Sequence, residues 1–151
     1  MLKLSDPLPE VNGAILSTSR IGLIEVYRFD CRLIEARITG NCRDCYCGLL
    51  KLSSHGVNGW AEYIVPDTKP YADIVRWTSV FLKLKGLSVS DAVSYVRSHA
   101  EAWGPVRTDI AEAALADLTA QLLNPAAGHD HEGAAFERSR LIDCSQAYCS
   151  F

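Results

Sequence analysis

Six cysteines are the residues in this 151-residue chain whose type and spacing first suggest chemistry. Cys42, Cys45 and Cys47 fall in one run, Cys42-Arg43-Asp44-Cys45-Tyr46-Cys47. Thiolates two to four residues apart can share a Zn2+ ion. A closed tetrahedral site needs a fourth ligand, and Cys31 across a hairpin or the distant Cys144 is its natural source. The simpler reading puts Cys45 and Cys47 on one face of a strand as small buried apolar groups. Cys144 and Cys149 lie in a tail where exposure alone could make them reactive. His129, Asp130, His131 and Glu132 form a second run with ligand chemistry, but it reads first as a solvated loop. Arg138 and Arg140 beside Glu137 read as an exposed ion-pair patch. Glu62 follows Trp60 on the hairpin, where it could pair structurally with an arginine or face the site; the structural reading is preferred, since a single carboxylate makes no acid–base pair by itself. No catalytic group and no metal ligand is assigned among these residues.

The totals narrow the classes. Hydrophobic content of 48% and charged content of 22% are ordinary globular values. A formal charge of −3 gives no electrostatic reason to expect nucleic acid or an anionic membrane as partner. No apolar run approaches the roughly 18 residues of a membrane span. The first residues include Asp6 and Pro7 and lack a signal-peptide core. A cytoplasmic location is expected, with the cysteines as thiols.

The elements that must position these residues centre on a hairpin over 45–65. Tyr46, Leu50 and Leu52 share one face of a strand, with small Gly48 between them. Ser53-Ser54-His55-Gly56 is turn chemistry, with Gly56 free to take positive φ. An extended apolar pattern resumes at Val57. A partner strand is expected over 21–30, where Leu23, Glu25, Tyr27 and Phe29 alternate with Ile24, Val26 and Arg28. Both sets contain apolar residues, which suits a strand partly covered on two sides. Three helices are expected to follow. Asp67, Thr68, Lys69 and Pro70 start the first, Ile74, Trp77, Phe81 and Leu84 form its stripe, and Gly86 closes it. Ser88 with Asp91 opens the second, with Val89, Ala92, Val93, Val96 and Ala100 on one face. Trp103, Gly104 and Pro105 break it. Thr108 or Asp109 caps the third, whose stripe is Ala111, Ala114, Leu115, Leu118 and Leu122. Residues 141–148 read as a last extended stretch.

Two of these segments carry a resemblance. His55-Gly56-Val57-Asn58-Gly59-Trp60-Ala61-Glu62 resembles the D-G-x-x-G-W-G-E signature in the N-terminal domain of the enolase superfamily, in its mandelate racemase and muconate lactonizing enzyme branch. Ala114-Leu115-Ala116-Asp117-Leu118-Thr119-Ala120-Gln121 resembles the family pattern A-L-W-D-L-x-G-K. Asp117, Leu115 and Leu118 match. His55, Ala61, Ala116, Ala120 and Gln121 depart from the pattern, as in a divergent member. Residues 32–41 resemble the loop that joins the family's first two strands and folds over the active site, with Arg37 and Gly40 in place of its basic residue and glycine. Residues 141–148 resemble the point where the family's barrel opens with its first strand.

The resemblance covers about residues 20–148 and implies a capping domain. In the family the chemistry belongs to a barrel of about 250 residues. There, acids hold Mg2+ and a Lys or His base removes a proton α to a carboxylate. No TIM barrel is present here, and no cofactor is expected in this chain, Mg2+ being implied only for the missing barrel. The implied lid contacts are Arg32 or Arg37, which could pair with a substrate carboxylate, and Tyr63 in the segment after Glu62. Asp117 is expected to bridge helix and hairpin, or helix and barrel.

The expected fold is α+β: a three-stranded antiparallel meander followed by a three-helix layer. Residues 1–20 are expected to be an irregular leader, 21–125 the capping domain, and 126–151 an irregular tail holding a remnant of the linker and first barrel strand. The leading function is the capping domain of a Mg2+-dependent enzyme, not catalytic by itself. Its partner would be a barrel-bearing subunit or a second copy of itself, with a small carboxylate substrate only if a barrel is present. A stand-alone oligomeric interaction module and a small zinc protein using Cys42, Cys45 and Cys47 are the alternatives.

Overall fold

Residues that alternate between apolar and polar build the strands. The computed structural model describes residues 8–29, 45–125 and 132–151. In it β1 is Leu23–Phe29, β2 Cys45–Ser54, β3 Val57–Pro66 and β4 Ala147–Ser150. They form one antiparallel sheet in the order β3-β2-β1-β4. His55 and Gly56 close the β2–β3 hairpin with φ of 50° and 78°. Two successive left-handed residues give the turn a twist that matches the strands it joins. Glu25 stands opposite Lys51 and Arg28 opposite Gly48 across β1 and β2. Lys51 in turn faces Trp60, and Gly48 faces Tyr63.

The helices are α1 (Leu8–Thr18), α2 (Lys69–Ala72), α3 (Ile74–Thr78), α4 (Val89–Ser98), α5 (Ala100–Trp103), α6 (Pro105–Leu123) and α7 (Glu132–Asp143). A 3-10 segment, Ser79–Leu84, continues α3. The chain is thus α+β, but it differs from expectation in several places. The leader holds a helix, α1, because Pro9 falls in the first turn, where its missing N–H is not needed. The first expected helix is split. Asp73 accepts a hydrogen bond from the Arg76 amide at 3.1 Å and starts α3 after the short α2. Helix α6 starts at Gly104 and Pro105 rather than at Thr108 or Asp109. Gly104 takes φ 80° and Pro105 occupies the first turn. Thr108 is buried inside α6, its hydroxyl 3.4 Å from the Ala100 carbonyl. The tail is not irregular over its described residues: it carries α7 and a fourth strand, β4, which sets Cys149 opposite Val26 and Tyr148 opposite Tyr27. Residues 141–143 belong to α7 and not to a strand. Ser88 caps α4 as its sequence suggests, accepting from the Asp91 amide at 3.1 Å.

The sheet has two unlike faces. Ile24, Val26, Leu50, Leu52, Ala61, Tyr63, Val65 and Cys149 turn inward and pack with the apolar stripes of α4 and α6. Trp77, Phe81 and Trp103 continue this core as a ladder of rings, with centroids 6.5 Å and 5.7 Å apart. Tyr27, Phe29 and Leu49 turn outward, where Leu141 and Ile142 of α7 meet them.

The tightest seam runs between β3 and α6. A Cβ on Gly59 would collide with the backbone of α6 at Ala114 and Leu118. Only glycine permits that approach. β3 is an edge strand, so its outward N–H groups need partners from outside the sheet. The Trp60 amide donates to Asp117 Oδ2 at 2.8 Å, which is the helix-to-hairpin bridge expected of Asp117. Gly59→Ala is therefore expected to destabilise the fold by about 3 kcal/mol, the upper range for overpacking a filled core. Asp117→Ala should cost about 1–3 kcal/mol by leaving a partly buried donor unpaired, and Asp117→Asn less. Urea unfolding midpoints of the three variants check this order.

Candidate functional site

The residues singled out from sequence do not gather into one site. Arg32, Arg37 and the rest of the segment 32–41 lie outside the described residues, as do Cys31, Cys42, His129, Asp130 and His131. Tyr63 is 4% exposed and packs in the core on the helical side of the sheet. Its ring crosses Gly48, where no side chain competes for the space, and its hydroxyl donates to the Tyr27 carbonyl at 2.9 Å. Burial pushes the Tyr63 phenol up to about 12, against the opposing pull of Arg28, so it stays protonated at neutral pH. Glu62 lies on the outward face of β3, away from the core.

The cysteine expectation needs correcting. Cys45 and Cys47 are disulfide-bonded rather than thiols. A disulfide sulfur is not a thiolate, so neither ligates zinc in this state. Cys144 and Cys149 are free, the first exposed and the second buried. Cys149 Sγ lies 3.3 Å from Thr78 Oγ1, and burial raises its pKa.

The structure instead brings together a polar cluster on the outward face of the sheet. Glu25 is 8% exposed in the middle of β1. Lys51, its cross-strand neighbour, places Nζ 2.9 Å from Glu25 Oε2. Tyr27 and Tyr148 both donate to Glu25 Oε1, at 3.1 Å and 2.9 Å. The two phenol rings lie 5.1 Å apart. Trp60 sits one strand further, with Lys51 Nζ and Arg138 Cζ each 5.3 Å from its ring centroid, within cation–π range. Strand register explains the gathering. Glu25, Lys51 and Trp60 occupy one row across three strands, and Tyr27 and Tyr148 the next.

The electrostatics define what this cluster can do. Burial acts to raise the Glu25 pKa, but the Lys51 ammonium and the tyrosine hydroxyls outweigh it and hold the carboxyl below its ordinary value of 4.5. Tyr27 moves the other way, pushed up by burial and by the adjacent carboxylate. Neither group therefore exchanges a proton near neutral pH. The cluster holds charge in place; it does not relay protons. Around it, Leu23, Ile64 and Tyr148 are 38%, 51% and 50% exposed on the same face, a mixed apolar and polar surface suited to contact. Sequence reasoning missed Glu25 as a centre. The available signal was a glutamate inside a strand face otherwise made of Leu23, Tyr27 and Phe29.

Comparison with known proteins finds no family, no curated protein and no solved structure that matches this chain.

Two expectations follow. Glu25→Gln should lower stability by about 1–3 kcal/mol at pH 7, the range for a charged hydrogen bond. The folded-state pKa of Glu25 is depressed, so its contribution is complete above the unfolded value and drains as pH falls through the folded one. The gap between parent and variant, read as melting temperature, should accordingly close in acid. For the cysteines, a thiol titration of denatured, unreduced protein should find at most four of the six, since two are in disulfides. In the native state Cys144 should react with a maleimide well before Cys149.

Proposed function

We propose that this chain is a capping domain of the mandelate racemase and muconate lactonizing type. It would act as a cover over a Mg2+-dependent barrel that removes a proton α to a carboxylate. The observation that carries this reading is the contact between the two segments of resemblance. Gly59 and Trp60 lie on β3, Asp117 and Leu118 on α6, and the Trp60 amide hydrogen bonds to Asp117 across 57 residues of sequence. The antiparallel run of β1, β2 and β3, with α4 and α6 packed on one face, supports this reading, although α7 lies on the other face. The fourth strand is an addition to the capping fold. A lid role for Arg32 and Arg37 remains part of the proposal, resting on the resemblance alone. All strand pairs among the described residues are antiparallel, whereas a barrel requires parallel ones. The barrel therefore has to come from further sequence or from another subunit.

The outward face offers the contact surface such a partner needs, through Leu23, Ile64 and Tyr148 around the Glu25 cluster. No helix among the described residues is long and apolar enough to cross a membrane. The disulfides at Cys45 and Cys47 favour an oxidising setting over the reducing cytoplasm expected from the first residues.

Native purification of the tagged chain from its source cell tests the reading. The expected result is a barrel, either joined to this chain or in a stoichiometric partner identified by mass spectrometry. That assembly should exchange the α-proton of a carboxylate with D2O only when Mg2+ is present. Recovery as a homo-oligomer with no barrel and no exchange overturns it in favour of an interaction module. One equivalent of zinc, with loss of fold on chelation, overturns it in favour of the metal alternative.

A further inference from the structure

The helical layer holds a groove of about 700 Å3 between α2–α3 and the corner where α5 turns into α6. That is the size of a small-molecule site. It owes nothing to the outward face or to the proposed barrel. Three cations line it, Lys69, Arg76 and Arg107, against one acid, Asp73, leaving a net charge of +2. Asp73 is already engaged, accepting from the Arg76 amide. Arg107 is fixed in place. Its Nε donates to the Trp103 carbonyl at 2.7 Å, and Nη1 to the Trp77 carbonyl at 3.3 Å. No hydrogen bond within the described residues uses Nη2, so part of the guanidinium fork stays available to an anion. Neither Lys69 nor the Arg76 guanidinium forms an ion pair among the described residues.

The rest of the lining is aromatic and apolar. Tyr71 is half-buried and meets Trp77 edge-on, with centroids 5.4 Å apart. Its carbonyl is held by the buried Arg28, which also bonds the Ala72 carbonyl at 3.0 Å. The wall that carries Tyr71 is thus tied to the sheet. Trp103 forms the opposite wall, beside Pro105 and Val106.

We propose that this groove binds a small organic phosphate monoester with a planar apolar body. Such a monoester carries close to two negative charges at pH 7, which matches the surplus of cations. A pre-positioned arginine fork suits phosphate oxygens. Inorganic phosphate alone would leave most of the volume unfilled, and the aromatic walls supply the apolar contact that a ring would use.

Titration of 15N-labelled protein with phenyl phosphate, inorganic phosphate and benzoate tests this through the three indole N–H signals. Trp77 and Trp103 line the groove and Trp60 lies on the other side of the sheet, so it serves as an internal control. The expected result is a saturable shift of the first two signals with phenyl phosphate and none for Trp60. Inorganic phosphate and benzoate should each bind at least about tenfold more weakly. The exposed pair Lys69→Gln with Arg76→Gln should weaken phenyl phosphate binding about tenfold or more while leaving the melting temperature unchanged. The proposal is overturned if phenyl phosphate gives no saturable shift up to about 10 mM. It is also overturned if benzoate binds equally well, or if the double variant binds like the parent.

Discussion

The backbone contact between β3 and α6 is the constraint on which the rest of the structure depends. Gly59 lets the strand touch the helix at Ala114 and Leu118, and the small side chains of Ala111 and Ala114 keep that face of α6 shallow. With the two backbones that close, the Asp117 side chain reaches the Trp60 amide and closes off one exposed edge of the sheet. The same approach buries Leu115 and Leu118 completely and gives α4 a fixed surface to pack against. A larger residue at Gly59 would push α6 outward, opening the core along its whole length rather than at one point.

The sheet divides its labour by face. Inward, burial is almost wholly apolar; Ser54 Oγ and Arg28 Nε are buried there without a hydrogen-bond partner among the described residues, while the rest of the Arg28 guanidinium is engaged. Arg28 lies over the Tyr46 ring at 4.0 Å and takes the carbonyls of Tyr71 and Ala72. Those carbonyls end the short α2, where a cation also meets the negative end of a helix. Outward, a buried carboxylate sits at the centre. Removing Glu25 from water is costly, and that cost is offset only because Lys51 and two phenols converge on it. Among the described residues, Leu23, Ile64 and Tyr148 stay exposed on this face beside the cluster. The inward face is the apolar core, and the outward face carries the charged cluster.

Local patterns in the sequence foretold the parts built by local rules. Turn chemistry at His55 and Gly56, the Ser88 cap, the Gly86 stop and the stripes of α4 and α6 all follow from residues within a few positions of one another. For Asp117 a structural contact with the hairpin or a barrel was expected, and its partner among the described residues is the Trp60 amide of the hairpin. What was not legible depends on distance. β4 is four residues of modest β propensity, and only its pairing with β1, more than 100 positions away, makes it a strand. α1 was not legible because Pro9 and Gly13 lower the helix propensity of the leader; Pro9 falls in the first turn, while Gly13 lies in the helix interior, where glycine is unfavourable. The Glu25 cluster needs three strands and the tail in register, so no window of sequence contains it. The disulfide bonding of Cys45 and Cys47 departs from the thiols expected, because redox state is not encoded in cysteine spacing at this density.

β1 is the physical link between the two surfaces. Its residues alternate between them within a single turn of the pleat. Glu25 and Tyr27 build the outward cluster, while Arg28, the next residue, fastens the Tyr71 wall of the groove on the inward side. The Tyr27 carbonyl accepts from Tyr63, which packs on Trp77, another groove residue. A partner seated on the outward face would therefore load the same strand that holds the groove open, although the two surfaces share no side chain. Packed interiors resist continuous deformation, so this strand can move little without disturbing both.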